Sequence, residues 1–206
     1  GVLPGNEYLV ARVGPDNSSF VDPDTRVLLF SKEDILETPI ADLVTRASGG
    51  TAITDIIYPT GLMIFPSSRD FLLTQSSEQV AYGAIWMIYY DTRDFKGWLP
   101  KFDPSKAEQA GIDFLKQNRF QNAVAAAYDP KRREVFIVDS DLDSIVKFDR
   151  SGRFKAESFG KYKSISPMDS TGLRNPSGIA FSNDNTLYIA DTKNGLIRRF
   201  KLSTQL

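Results

Sequence analysis

The feature that most constrains this chain is an ordered recurrence of short apolar runs. Asp139 and Asp191 lie 52 residues apart, and so do Phe148 and Phe200. Each aspartate closes a strand-like run, Val135-Phe136-Ile137-Val138 or Leu187-Tyr188-Ile189-Ala190. Each phenylalanine closes the next, Ile145-Val146-Lys147 or Ile197-Arg198-Arg199. Turn-forming residues, Asp129-Pro130-Lys131-Arg132 and Ser182-Asn183-Asp184-Asn185, precede the first of these runs, and a small-residue run opens each copy: Ala125-Ala126-Ala127-Tyr128 and Pro176-Ser177-Gly178-Ile179-Ala180-Phe181. A third copy follows the same order from Pro59 through Gly61, Phe71 and Ile85-Trp86-Met87-Ile88, with Thr74 read at the position of Asp191. Near the start, Tyr8-Leu9-Val10-Ala11 and Arg26 to Phe30 match the second and third strands of a copy without its first.

Three short strands between turns, with a fourth at Phe154 to Gly160 and another expected at Asp42 to Arg46, make a four-stranded antiparallel unit. A lone unit would expose two faces and a hydrogen-bonding edge. Stacking the units radially covers the faces, so the expected fold is an all-β propeller of about four visible blades, with approximate bounds 1–48, 55–98, 121–160 and 173–206 in one domain. A β-sandwich would account for the strands but not for their recurrence. Two stretches break the period. Residues 104–120 space Ala107, Ala110, Ile112, Phe114 and Leu115 as a helix does, with Ser105 and Glu108 as a capping box, which predicts a helical insertion. Residues 161–174 read as a polar loop, and either stretch could meet a partner.

With no histidine and no cysteine among 206 residues, every His-based triad, His-ligated metal and thiolate nucleophile within the chain is excluded. No apolar run approaches the roughly 20 residues that cross a bilayer. The balance of 25 basic against 26 acidic residues creates no overall field for a phosphate backbone. The charge is nonetheless uneven: residues 1–128 carry a net −5 and residues 129–206 a net +4.

The segment from Asn175 to Phe200 resembles an NHL repeat of a β-propeller, and Val135 to Gly160 resembles a second with its outer strand. Residues 59 to 92 are similar to a degenerate third. The resemblance implies a propeller, commonly six-bladed, so that four visible units are either a small ring or part of a larger one. It also implies loops that bind protein, RNA or small ligands, and no one chemistry. Gluconolactonase-like propellers share the pattern around Gly178 to Asp191 and hold a divalent cation on the ring axis. The Asn of their motif is replaced here by Ser177, with Thr60 and Val124 upstream, which weakens that link.

Asp139, Asp141 and Asp143 alternate as the ligands of a short Ca²⁺ loop do, but Ser144 and Arg150 stand where an EF-hand-like loop needs Gly and Glu. The competing reading makes Asp139 and Asp191 strand-end acceptors for the following turn, with Asp141 and Asp143 solvated. Trp98, beside Gly97 and Pro100, is a candidate to stack on a sugar or anchor a partner. Lys161 and Lys163 in the polar loop, and Asp191, Lys193 and Asn194 after the last unit's second strand, are the polar binding candidates. Lys131-Arg132-Arg133 could touch RNA but lies in a turn flanked by Asp129 and Glu134. Asn17-Ser18-Ser19 fits a glycosylation acceptor. The expected function is a non-catalytic scaffold binding another protein or an extracellular ligand, ahead of a cation-dependent lactonase and an RNA-binding propeller. Nucleic acid is a disfavoured partner. The start at Gly1 and the lack of cysteine lead to an extracytoplasmic expectation.

Overall fold

The computed structural model describes residues 1–12, 26–41, 59–75, 84–88, 90–91, 95–97, 122–149, 154–159 and 172–202. They form four antiparallel sheets in chain order. Unit 1 contains β1 (Tyr8–Arg12), β2 (Arg26–Phe30) and β3 (Leu36–Ala41). Unit 2 contains β4 (Pro59–Ile64), β5 (Phe71–Gln75), β6 (Ala84–Ile88) and β7 (Phe95–Gly97). Unit 3 contains β8 (Ala123–Asp129), β9 (Glu134–Asp139), β10 (Ser144–Asp149) and β11 (Phe154–Phe159). Unit 4 contains β12 (Pro176–Phe181), β13 (Thr186–Asp191) and β14 (Leu196–Lys201). Every sheet is a meander, and the opening strands of successive units lie together, β4 against β8 and β8 against β12. This is the radial arrangement of a propeller.

Three details depart from the sequence reading. The outer strand of unit 1 is Leu36–Ala41 rather than Asp42 to Arg46, which lies outside the described residues, as does the expected helix at 104–120. Unit 2 has an outer strand at Phe95–Gly97 that no apolar alternation announced. Unit 1 also keeps a trace of its opening strand: Val2 bridges Tyr8, and Gly1 and Leu9 exchange hydrogen bonds through Leu9 N–H to Gly1 O at 2.7 Å and the Gly1 amine to Leu9 O at 2.8 Å.

Register makes the units superimposable residue by residue. Pro59 pairs Gln75, Ala123 pairs Asp139 and Pro176 pairs Asp191. Gln75, not Thr74, therefore occupies the register of the two aspartates. A bulge follows each of these pairs, leaving Thr60, Val124 and Ser177 as the extra residues. The turn before each second strand also repeats, with left-handed backbone at Asn6 (φ 69°), Arg69 (φ 61°), Arg133 (φ 60°) and Asn185 (φ 65°). Asparagine tolerates that region and arginine rarely enters it, so only half of these turns carry a sequence signal.

The core sits between units. Alternation along each middle strand sends one set of side chains back to the preceding unit and the other forward to the next. Leu9, Val27 and Leu29 meet Phe71 and Leu73. Leu72 and Ile85 meet Val135, Ile137, Val146 and Phe148. Phe136, Val138 and Ile145 meet Leu187, Ile189, Ile179, Phe181 and Phe200. Each fully buried side chain of this kind contributes about 1.5–3 kcal/mol.

Candidate functional site

The turns between second and third strands, together with the segments that lead into the opening strands, share one end of the sheets. In unit 3 this end comprises Asn122 and Ser140–Asp143, and in unit 4 it comprises Gly172–Asn175 and a single 3₁₀ turn over Thr192–Asn194. Asp139 and Asp191 end their strands beneath it, both fully buried.

Asp139 Oδ1 accepts the backbone N–H of Asn122 (3.1 Å), Asp141 (3.2 Å) and Leu142 (3.1 Å). Asp191 Oδ1 accepts the N–H of Arg174 (2.7 Å), which stands seventeen residues before it as Asn122 stands before Asp139. The backbone returns the link in both units: Ser140 N–H donates to Asn122 O and Lys193 N–H to Arg174 O, each at 3.0 Å. One carboxylate thus clasps the entering segment to the exit of the second strand. Unit 4 adds side chains. Asn194 Nδ2 donates to Asp191 Oδ2 (2.8 Å) and to Gly172 O (3.3 Å), while Arg198 Nε donates to Asp191 Oδ2 and its Nη2 to Gly172 O (2.8 Å). Burial alone would raise the Asp191 pKa, but the hydrogen bonds from Asn194, Arg198 and the Arg174 N–H, with the Arg198 charge, hold it below the ordinary carboxylate value.

The three aspartates read as a cation loop take separate duties. Asp143 is not solvated: its Oδ1 accepts the N–H of Asn175 in unit 4 at 2.6 Å, and Asn175 Nδ2 donates to Ser140 O (3.3 Å), stitching the two units. Asp141 is exposed and accepts Asn122 Nδ2 at 3.3 Å. Among the described residues no three acidic side chains converge in a way that could hold a metal ion. The three bulge residues also lack a carboxylate. Thr60 Oγ1 donates to Ala123 O at 2.7 Å across the unit boundary, and Ser177 shares a hydrogen bond with Thr192 (2.6 Å).

Of the binding candidates, the structure brings Asp191, Lys193 and Asn194 together on one turn. Asp191 and Asn194 face inward as its supports, and Lys193 is exposed beside exposed Arg174 and Thr192. Trp98, Lys161, Lys163 and the Asn17-Ser18-Ser19 acceptor lie outside the described residues. At the opposite end of the sheets, Arg132 is drawn into an ion pair with buried Asp129 (2.7 Å) and into a bond to Leu202 O (2.8 Å), leaving Lys131 and Arg133 exposed. The supports missed from sequence are Arg198, Arg174, Asn122 and Asn175. The shared offset of Asn122 and Arg174 from their aspartates could have found two of them. Arg198 has Val146 as its unit 3 counterpart, so the repeat gives no hint of it.

Residues 173–200 match the NHL repeat family model. No curated protein sequence matches the chain. Among solved structures, a chain of a nidogen/laminin complex is similar over 86% of this chain and 51% of its own, at 12% identity and a TM-score of 0.57. A calcium-binding regucalcin from Agrobacterium tumefaciens is similar over 85% and 50%, at 12% identity and a TM-score of 0.50. A streptogramin B lyase matches over 87% and 49%, at 13% identity and a TM-score of 0.46. The chain thus spans about half the length of these structures.

Proposed function

We propose that this chain, which carries an NHL repeat in a β-propeller fold, is a non-catalytic scaffold that recognises a protein partner through the turn-bearing end of units 3 and 4. The observation that carries this reading is the pair of buried carboxylates, Asp139 and Asp191, whose hydrogen bonds fix the exposed turns from below. Exposed Asp141, Arg174, Thr192 and Lys193 then sit on ordered backbone, so binding costs little further ordering. The likeness to a chain from a nidogen/laminin complex supports the propeller architecture on which the reading rests. A binder rather than an enzyme is also supported by the lack of His and Cys and by the internal duties of Asp139, Asp143 and Asp191. An extracytoplasmic location belongs to the same proposal, and protease protection in fractionated cells tests it.

The test of the binding end is site-specific photo-crosslinking in the native extract. A crosslinker at Lys193 or Asp141 is expected to capture one polypeptide, identified by mass spectrometry, that a crosslinker at Asn183 or Lys131 at the opposite end does not. Equal capture from both ends, or none, overturns the assignment of that end. Lactone turnover abolished by a chelator would replace the scaffold with the cation-dependent hydrolase.

A further inference from the structure

Asn194 and Gly195 form the chain's single Asn-Gly pair. In this dipeptide the asparagine side chain is most open to attack by the next backbone nitrogen, because glycine has no side chain to shield it. Each residue also has a structural duty here. Gly195 ends the 3₁₀ turn in the left-handed region (φ 64°, ψ 33°), and its N–H donates to Thr192 O at 3.1 Å. Asn194 Nδ2 donates to Asp191 Oδ2 at 2.8 Å and to Gly172 O at 3.3 Å. In unit 3 the same registers hold Leu142 and Asp143, and there the turn is tied by the Leu142 N–H on Asp139 Oδ1 at 3.1 Å, with no side-chain amide.

We infer that Asn194 is a modification site, a deamidation switch that the Asp191 clasp holds shut and that acts when the clasp opens. In the first step the Gly195 backbone nitrogen gives up its proton and bonds to Asn194 Cγ, and the side-chain amide leaves as ammonia as a succinimide ring closes. Water then opens the ring at either carbonyl, leaving aspartate or isoaspartate. The fold opposes the first bond from both sides. The Gly195 N–H is engaged by Thr192 O, and the Asn194 amide cannot turn to meet that nitrogen without leaving two acceptors, one of them a fully buried carboxylate. Opening of the turn removes both restraints together. The product does not fit back, because a carboxylate at 194 has no donor and meets Asp191 Oδ2 and Gly172 O as a further acceptor. Arg198, whose Nε and Nη2 already serve those same two oxygens, supplies one positive charge to what are then two carboxylates. Isoaspartate in addition threads the side-chain carbon into the main chain of the turn. Loss of ammonia makes the change one-way, so the turn keeps a record of the time it has spent open. Exposed Thr192 and Lys193 share this turn, and a loss of partner binding on modification rests on the function proposed above, whereas the modification itself does not.

Peptide mapping of the full chain during incubation at mildly alkaline pH tests the inference, with the mass gain at Asn194 reporting conversion and enzymatic methylation reporting isoaspartate. Folded wild type is expected to convert about tenfold or more slowly than the same chain unfolded in urea, since only the open population reacts. Asp191→Asn keeps the shape of the side chain but offers one acceptor oxygen for two duties, and is expected to convert Asn194 several-fold faster than folded wild type. Asn183, in the exposed turn at the opposite end of the sheets, is the internal control whose conversion Asp191→Asn leaves unchanged. Asn194→Asp, which carries the product's carboxylate, is expected to speed amide exchange at Lys193 and Gly195, with far-UV circular dichroism confirming the fold of each variant. The wild-type comparison and Asn194→Asp decide the matter even if Asp191→Asn does not fold. Equal rates in folded and unfolded wild type, no conversion in the unfolded chain, a folded Asp191→Asn that converts at the wild-type rate, or wild-type exchange in Asn194→Asp overturns the inference.

Discussion

Asp191 accepts the backbone N–H of Arg174 at 2.7 Å, and its other oxygen receives Asn194 and Arg198, so one buried carboxylate ties the entry of unit 4 to its 3₁₀ turn and its third strand. Asp191→Ala takes the buried carboxylate away from the Arg198 guanidinium and leaves the Arg174 N–H without its acceptor. The expected cost is about 3–4 kcal/mol, the size of a broken buried ion pair. Asp141→Ala, on an exposed side chain of the same end, is expected to change stability by about 0.5 kcal/mol or less. Urea midpoints at constant slope measure both.

The same carboxylate gives stability a defined acid limb. Its pKa in the folded chain lies below the ordinary value, so the unfolded chain takes up the proton first as pH falls. The contribution is whole above about pH 4 and is lost as pH drops from there through the folded value. Asp191→Asn removes that limb. The stability gap between wild type and Asp191→Asn is therefore expected to be constant from pH 7 to pH 5 and to shrink below pH 4. A gap that widens in acid would assign the titration to another group.

How much of this was legible varies with the kind of signal. The 52-residue offset of Asp139 and Asp191 located the two middle strands of units 3 and 4, because strands that repeat must keep both their apolar alternation and their closing residue. Thr74 was misassigned to the aspartate register because the turn from Ile64 to Phe71 is one residue longer than the turn from Phe181 to Leu187, so the same count from Gly61 as from Gly178 stops one residue short of Gln75. Asp143 was read as solvated because its acceptor role depends on Asn175, a residue of the next unit brought close only by the stacking. Arg198 follows the same rule: its partner Asp191 is seven residues away in sequence and comes within reach only diagonally across the strand pair, where the register sets Arg198 opposite Ile189 and Asp191 opposite Leu196.

Gly61 and Gly178 occupy the same register, each one residue past its bulge, yet only one is required by packing. A Cβ at Gly61 would lie 2.7 Å from Thr74 Oγ1, 2.9 Å from Val124 O and 3.0 Å from Ala125 Cα, where β4 presses on the backbone of β8. At Gly178 the nearest atom would be Ala190 Cβ at 3.5 Å, an ordinary contact. Gly61→Ala is expected to destabilise by about 1–3 kcal/mol through overpacking. Gly178→Ala is expected to be neutral or to stabilise by about 0.5 kcal/mol, since alanine loses less backbone entropy in a strand. Thermal unfolding of the two variants in parallel decides it, and equal effects would refute the difference in packing between the two positions.

The basic turn Lys131-Arg132-Arg133 separates a structural cation from surface ones. Arg132 bonds both buried Asp129 and Leu202 O just past β14, so it fastens the last strand of unit 4 to the first turn of unit 3. Asp129 also accepts the backbone N–H groups of Lys131 (2.9 Å) and Arg132 (3.1 Å), which remain when the side chain is removed. Arg132→Ala should therefore cost about 2–3 kcal/mol, less than the roughly 3–5 kcal/mol of a fully orphaned charge. Amide exchange should rise first in β14, the strand that loses its anchor. Lys131→Ala, at an exposed position, should leave stability within about 0.5 kcal/mol of wild type. If Lys131→Ala instead weakened binding to a nucleic acid with a steep salt dependence while Arg132→Ala left stability unchanged, the turn would be a phosphate contact rather than a bolt between units.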